Sequence, residues 1–366
     1  MKSILVNLDA FFITNPTNIR YLTGFVGAAP EEREAFALLL PNETFLFTNS
    51  LYMEAALNLK VKGAKLKVEE ISREKPIGKQ LRHIVKELQI KKLGFEENDL
   101  IVAELRKLEA ALKGVALIPT KDRVEKLRMI KGEDEIENIR QAAKLTDHCF
   151  DFILGKFKPR VSENEIAWEI EAFFRKTGAT AAFSPIVAFG KNSSQPHYQI
   201  SLTRSLLAKL QGETLNKTDI ALLDFGARIN GYCNDMTRVV FSGKPQEEWQ
   251  RAYKAVLEAQ RRAFDYLNST KSPSGAAVDR LARKIIKQAG FPPYPHSLGH
   301  NVGLEIHEGP RLTIKKDAKL KPGMVVTVEP AIYKEGQYGI RLEDLVLLKT
   351  DGIEILSKAT KEMIVL

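Results

Sequence analysis

Apolar and polar positions follow two periods along this chain. In the first third, DAFFIT, FALLLP and ETFLFT are short apolar runs bounded by turn residues, the pattern of strands. Asn15-Pro16 reads as a turn after the first run, and Pro41-Asn42 joins the other two. SLYMEAALNL, KQLRHIVKELQI and NDLIVAELRKLEAAL repeat their apolar residues every three or four positions, as amphipathic helices do, with Asn98 as N-cap of the last. KKLGFE and GVALIP add two more strands. These elements predict an α/β domain over residues 1–122.

A helical period then runs from about Arg123 to Phe157, interrupted at Gly132. SENE is a capping box, with Ser162 as cap and Glu165 as the returning partner, and it opens a helix to about Lys176. Beyond Phe183 strands dominate, with two helices near 246–270 and 275–289. Residues 123–366 therefore read as one α+β domain.

The most informative stretch is IALLDFGARINGYCNDMT, residues 220–237. IALLDFG is a buried-strand run, Asn230-Gly231 is a strong two-residue hairpin signal, and TRVVF continues as the return strand. With a two-residue turn Ile229 faces Tyr232, so Asp224 faces Thr237 and Asp235 lies two residues along on the same face. Diagonal neighbours of this kind sit roughly 7–8 Å apart at the backbone, so two short carboxylates there can converge on one ion or a close pair of ions.

Composition adds exclusions. The 366 residues are 44% hydrophobic and 28% charged, the usage of an ordinary globular chain long enough for two cores. The net charge of +9 divides evenly: 22 basic against 17 acidic residues give +5 for residues 1–131, and 33 against 29 give +4 for the rest. With no dense basic tract, no nucleic-acid partner is expected. No apolar run approaches the roughly 20 residues that span a bilayer, and the N-terminus lacks the pattern of a signal peptide, so no membrane partner is expected. Cys149 and Cys233 sit in no spaced pair, which fits two free thiols and a cytoplasmic protein. His83, and His148 beside Cys149, have no ligand cluster around them and are assigned no chemistry.

Three of the six histidines, His296, His300 and His307, lie within PHSLGHNVGLEIHEGP, where glycine and proline favour strand and turn over helix. GMVVTVEP is a buried strand ending at Glu329, and GIRLEDLVLL carries Arg341 and Glu343 on one face. A carboxylate at the end of an apolar strand needs a partner. Taken singly, each Glu reads equally well as half of a structural ion pair, for example Glu343 with Arg341. Two Asp, one His and two Glu together make an oxygen-rich donor set suited to a pair of divalent ions, which can polarise a carbonyl for hydrolysis.

DFG and YCNDMTR, with ten residues between their Asp, then SLGHNVGLEIHE, VEP and RLED, resemble in order the metal-site series of the metallopeptidase family of aminopeptidase P, prolidase and methionine aminopeptidase, with the pita-bread fold. NPTNIRYLTGF and FLFTNSLYMEAA are similar to the N-terminal domain of Xaa-Pro peptidases and creatinases. The resemblance implies a creatinase/prolidase-like α/β domain over 1–122 and a pita-bread catalytic domain over 123–366. It implies metal ligation by Asp224, Asp235, His300, Glu329 and Glu343, with Asp235 and Glu343 bridging. Glu329 would also relay a proton. His296 and His307 match histidines that hold the scissile carbonyl and the tetrahedral intermediate, and His197 and Arg341 match substrate-side positions. The implied cofactors are two divalent ions, Mn²⁺ ahead of Co²⁺, Zn²⁺ or Fe²⁺. The implied partners are a proline-containing peptide and a second copy in a homodimer.

Three departures bear on substrate preference. Asn301 and Ala331 stand where relatives usually carry glycine, which raises the question whether those positions need positive φ. The 27 residues from His197 to Asp224 include an apparent insertion over 199–218. A creatinase-like amidinohydrolase, which works without metal, and a pita-bread-fold binding protein that has lost catalysis are the alternatives. The retention of all five ligands counts against both.

Overall fold

A computed structural model describes residues 3–28, 32–59, 65–199 and 213–366. The segment read as an insertion lies outside the described residues from 200 to 212. The chain divides into two compact units, Met1–Arg128 and Met129–Leu366.

The first unit is built on a six-stranded mixed sheet. Ala10–Ile13 lies between Ala35–Leu39, antiparallel, and Lys92–Glu96, parallel. Glu43–Asn49 and Lys65–Ile71 extend one side, and Ala116–Thr120 the other. Alternate residues of the central strands enter two different cores. Phe12, Leu38 and Phe47 pack with Leu81, Ile84 and Leu108 of two helices, while Phe11, Ala37 and Leu39 pack with Ile19 and Ala56. Burial of both faces is why these strands read as continuous apolar runs.

Two sequence expectations change here. Asn15-Pro16 begins the helix Pro16–Thr23: the Asn15 side chain accepts from the Asn18 N–H, and Pro16 takes the first helical position, where its missing N–H costs nothing. Asn98 is not a cap; the helix is Val102–Ala111, the Glu104 carboxylate accepts from the Ile101 N–H at 3.2 Å, and Asn98 donates to Asp122.

In the second unit, a four-stranded sheet holds Ile186–Phe189, Ile220–Phe225, Met236–Phe241 and Ile364–Val365. A five-stranded sheet holds Glu308–Leu312, Gly299–Asn301, Val325–Val328, Asp344–Lys349 and Gly352–Ile355. Helices Glu247–Ser269 and Gly275–Gln288 pack with Ile220, Leu222, Val239 and Val328. Helices Glu133–Leu154 and Glu163–Lys176 supply Phe150, Ile153, Ile166 and Ile170, which pack with Ala221, Leu223, Phe225 and Val240. The break at Gly132 and the Ser162–Glu165 capping box fall where the sequence places them. His83 and His148 are exposed, while Cys149 is fully buried, its thiol pushed up by burial and inert. Among the described residues, no helix is long and apolar enough to cross a membrane.

Candidate metal centre

The hairpin forms with the register expected from its turn. Asn230 and Gly231 take φ of 49° and 88°, the left-handed pair of a two-residue turn, and Ile229 faces Tyr232. Farther down, Asp224 faces Thr237. The two ladders are separated by a close approach at Gly226, where a Cβ would lie 1.7 Å from the Asn234 carbonyl oxygen. Only glycine fits there, and Asp235 follows immediately in the interrupted stretch.

The other arms arrive from the five-stranded sheet. A Cβ on Gly299 would lie 1.9 Å from the Thr327 carbonyl oxygen, so glycine is what lets the His300 strand press against Val325–Val328. The Thr327 hydroxyl accepts from the His300 N–H at 3.1 Å and donates to Glu329 Oε1 at 3.3 Å. Val328 faces Asp344, and Ala331 faces Arg341 in the two-stranded ribbon Ala331–Lys334 with Tyr338–Arg341. One step beyond the first of these pairs and two before the second, Glu329 stands opposite Glu343.

These arms converge. Donor atoms of Asp235, His300 and Glu343, all buried, lie within 4.8 Å of one another. His300 Nε2 is 3.6 Å from both Asp235 Oδ2 and Glu329 Oε1. Asp224 joins through Arg341, whose Nη2 donates to Asp224 Oδ2 at 2.6 Å. Thr237 accepts from Arg341 Nε at 2.9 Å and donates to Glu343 Oε2 at 2.6 Å. Arg341 thus pairs with Asp224, on a strand of the four-stranded sheet, rather than with Glu343 two residues away.

The family model for metallopeptidase family M24 matches residues 137–350, and the one for the creatinase/prolidase N-terminal domain matches residues 6–130. This chain belongs to metallopeptidase family M24. It is 35% identical over 363 residues to the uncharacterized peptidase YqhT of Bacillus subtilis, covering 99% of this chain and 97% of that protein. Its structure is similar to an Xaa-Pro dipeptidase from Bacillus anthracis, with a TM-score of 0.87 and 36% identity over 98% of this chain and 96% of that one. It is also similar to an X-Pro aminopeptidase from Thermotoga maritima, with a TM-score of 0.86 and 34% identity over 98% of each. The chain is therefore a peptidase with a creatinase/prolidase-type α/β unit followed by a pita-bread unit.

The electrostatics of this M24 centre are those of a site built for cations. Burial, then the charge of Glu343, pushes Asp235 and Glu329 well above the usual carboxylate range; burial, then Asp224, pushes Glu343 up to about 8. A divalent ion reverses that balance by stabilising each ionised form. Asp224 Oδ1 and Asp235 Oδ1 are buried with no hydrogen-bond partner among the described residues. Buried carboxylate oxygens rarely go without a partner, so these two fit an oxygen-binding cation. Burial, with His307 beside it, holds His300 down to about 3. Neutral, with Nδ1 3.3 Å from the Asn301 carbonyl, His300 presents the Nε2 lone pair to the cluster.

The remaining histidines divide. His296 Nδ1 lies 2.7 Å from the Ser297 carbonyl and 3.6 Å from Glu329 Oε2, and Nε2 lies 3.2 Å from the Tyr333 hydroxyl, which accepts from Arg341 Nη1 at 2.6 Å. Burial, then Arg341, holds His296 down to about 4, so it too is neutral. His307 packs edge-to-face on His300 with ring centroids 4.5 Å apart and is solvent-exposed. His197 is exposed, and among the described residues no hydrogen bond ties it to the cluster; its neighbour Pro196 accepts from Arg341 at 3.2 Å.

Asn301, at a register shift of its ladder, and Ala331 both lie in strands without positive φ, so neither position needs the backbone freedom of glycine. Asn301 is instead a buried junction, donating to Met129 O and Gly309 O and accepting from Lys131 Nζ at 2.8 Å. Sequence reasoning missed Thr237 and Tyr333. The hairpin register already set Thr237 opposite Asp224, a signal that was there to use.

Proposed function

We propose that this M24 peptidase is a dinuclear metal-dependent exopeptidase that hydrolyses the bond between an N-terminal residue and a following proline, in dipeptides or short peptides. The observation that carries the reading is the convergence of Asp235, Glu329 and Glu343 on His300, with Asp224 joined to them through Arg341 and two carboxylate oxygens unpartnered among the described residues. Among the described residues these four acidic groups have one guanidinium paired with their carboxylates, that of Arg341 on Asp224, and this excess of negative charge calls for cationic partners. Asp224, Asp235, His300, Glu329 and Glu343 would hold two divalent ions, Mn²⁺ by preference, which supply Lewis acidity toward a carbonyl.

The rest is work for this chain's own side chains. Glu329, with one oxygen toward His300 and the other toward His296, is placed to hold a proton and pass it on. His296, with its proton on Nδ1 toward Ser297, keeps Nε2 against Tyr333. Arg341 fixes Asp224 and Tyr333 together. His307 and His197, both exposed, are available to bind the peptide. The proline preference rests on the names borne by the similar dipeptidase and aminopeptidase. The homodimer and the cytoplasmic location belong to the same reading, the latter supported by two buried free thiols.

Elemental analysis of the purified protein, followed by product detection on Ala-Pro and Ala-Pro-Ala with and without Mn²⁺, tests the proposal. Release of alanine from the dipeptide alone means a dipeptidase, and from the tripeptide an aminopeptidase. Two bound ions with no release from either peptide would overturn the proline specificity. No bound metal would overturn the mechanism and favour a pita-bread-fold binding protein.

A further inference from the structure

Glu329 and Glu343 stand opposite each other where a two-stranded ribbon changes sheets. On one side of them Val328 pairs with Asp344, and on the other Ala331 pairs with Arg341. Between those ladders the backbone bonds leave the pair. The Glu329 N–H donates to Leu298 O at 2.8 Å, and the Glu343 N–H to Thr237 O at 3.2 Å. The Leu342 N–H still reaches Pro330 O at 3.4 Å, but the return bond is impossible, because Pro330 has no N–H to give Leu342 O.

That missing donor is supplied from helix Glu247–Ser269. The Gln260 side chain, fully buried, donates through Nε2 to Leu342 O at 3.1 Å and to Val328 O at 3.0 Å. Those carbonyls belong to the residues immediately before Glu343 and Glu329. The amide orientation is decided, since the reverse would set an oxygen against two carbonyl oxygens. Gln260 lies in the helix stripe formed by Val256, Ala259, Ala263 and Leu267, where an apolar residue would otherwise be expected. Its Oε1 is buried without a partner among the described residues, so the residue accepts an unsatisfied acceptor in order to present two donors.

We propose that Gln260 is the positioning residue for the Glu329–Glu343 pair: one amide pins both strand ends at the sheet change and so sets the separation of the two carboxylates. The inference rests on the dinuclear reading above. A fixed separation matters most to the ion held by both carboxylates, so loss of Gln260 should act on one of two binding steps rather than on both alike.

Titration of metal-free full-length protein with Mn²⁺, followed by calorimetry, reads the two steps. The wild type should take up two ions. Gln260→Leu should keep the tighter site and weaken the other at least tenfold. Gln260→Glu, close in size but without the pair of N–H donors, should show the same selective loss and decides the matter if the leucine variant does not fold. Val256→Ala, a cavity one turn away in the same helix stripe that removes no donor to these carbonyls, should leave the ratio of the two affinities unchanged. Unaltered affinities in the Gln260 variants, or an equal loss in Val256→Ala, would overturn the positioning role and leave the peptidase reading intact. A wild type that binds fewer than two ions would overturn the dinuclear reading and this inference with it.

Discussion

Thr237-Arg238 and Glu343-Asp344 are two pairs of sequence neighbours on adjoining strands, and alternation sends the members of each pair into opposite surroundings. On one side Arg238 is buried and fully engaged. It donates to Asp344 Oδ1 at 2.6 Å and to the carbonyls of Thr237, Glu343, Ala359 and Thr360. Lys361 takes the other Asp344 oxygen, and nearby Asp147 accepts the N–H groups of Lys358 and Ala359. On the other side Thr237 and Glu343 meet Asp224, Asp235 and Glu329, with Arg341 paired to Asp224 and two oxygens unpartnered among the described residues. The first cluster is closed by the protein. The second is held open, and a folded chain keeps such a cluster only if something else completes it.

The largest effect that can break this comparison is on catalysis. Asp235→Asn should lower kcat/KM on an Xaa-Pro substrate by about 10³-fold or more, about 4 kcal/mol, because it removes a charged donor from the centre. Metal-free, the same variant should be as stable as the wild type or more so, since one of four mutually repelling carboxylates is gone. Asp344→Asn, one residue from Glu343, should do the reverse. It leaves the buried Arg238 guanidinium short of its counter-charge and should cost about 3 kcal/mol of stability in denaturant unfolding. If the metal-free Asp235→Asn protein unfolds as readily as Asp344→Asn, the two clusters are alike and the open one is not a binding site.

Mn²⁺ itself sharpens the contrast by a somewhat smaller amount. At a free concentration about 100 times its Kd, an ion that binds only the folded chain adds about 2.7 kcal/mol. For a unit of this size that is a rise in Tm of about 5–10 °C. The Asp344→Asn protein should show the same increment from its lower starting point, and Asp235→Asn should show little of it. An equal Mn²⁺ increment in both variants would locate the bound ion somewhere other than the open cluster.

How much of this could be read from the chain follows the range of the interaction. The Asp224–Thr237 register was legible because a two-residue Asn-Gly turn fixes it locally, and the Ser162–Glu165 capping box spans three residues. The interruption at Gly226 was not, because it depends on a backbone approach to Asn234 across the hairpin. Arg341 was offered Glu343 by proximity in sequence, yet it pairs with Asp224, 117 residues away. The Asn15-Pro16 pair suits both a turn and a helix start, and only the helix packed beyond it decides between them. Gln260 went unread, because its meaning lies in two carbonyls on other parts of the chain.

A third buried carboxylate, in the first unit, lies between the two extremes and gives the smallest of these effects. Glu96 accepts from the N–H groups of Thr14 at 2.7 Å and Asn15 at 2.8 Å and from Asn18 Nδ2 at 2.6 Å, so its oxygens are partnered as in the closed cluster. Its donors carry no charge, however, and burial pushes it up to about 7 in spite of them. A folded-state pKa above the unfolded value means that the contribution to stability is complete below about pH 4.5 and is lost as the pH rises through 7. Between pH 5 and 7 the loss should be about 2 kcal/mol. Amide exchange at Thr14 and Asn15, corrected for the intrinsic pH dependence of exchange, should show protection falling over that interval, and Glu96→Gln should flatten the profile. Constant protection in the wild type would mean that three neutral donors suffice to keep a buried carboxylate ionised. Neutral hydrogen bonds could then close such a cluster by themselves, and the open oxygens of Asp224 and Asp235 would mark missing donors rather than missing charge.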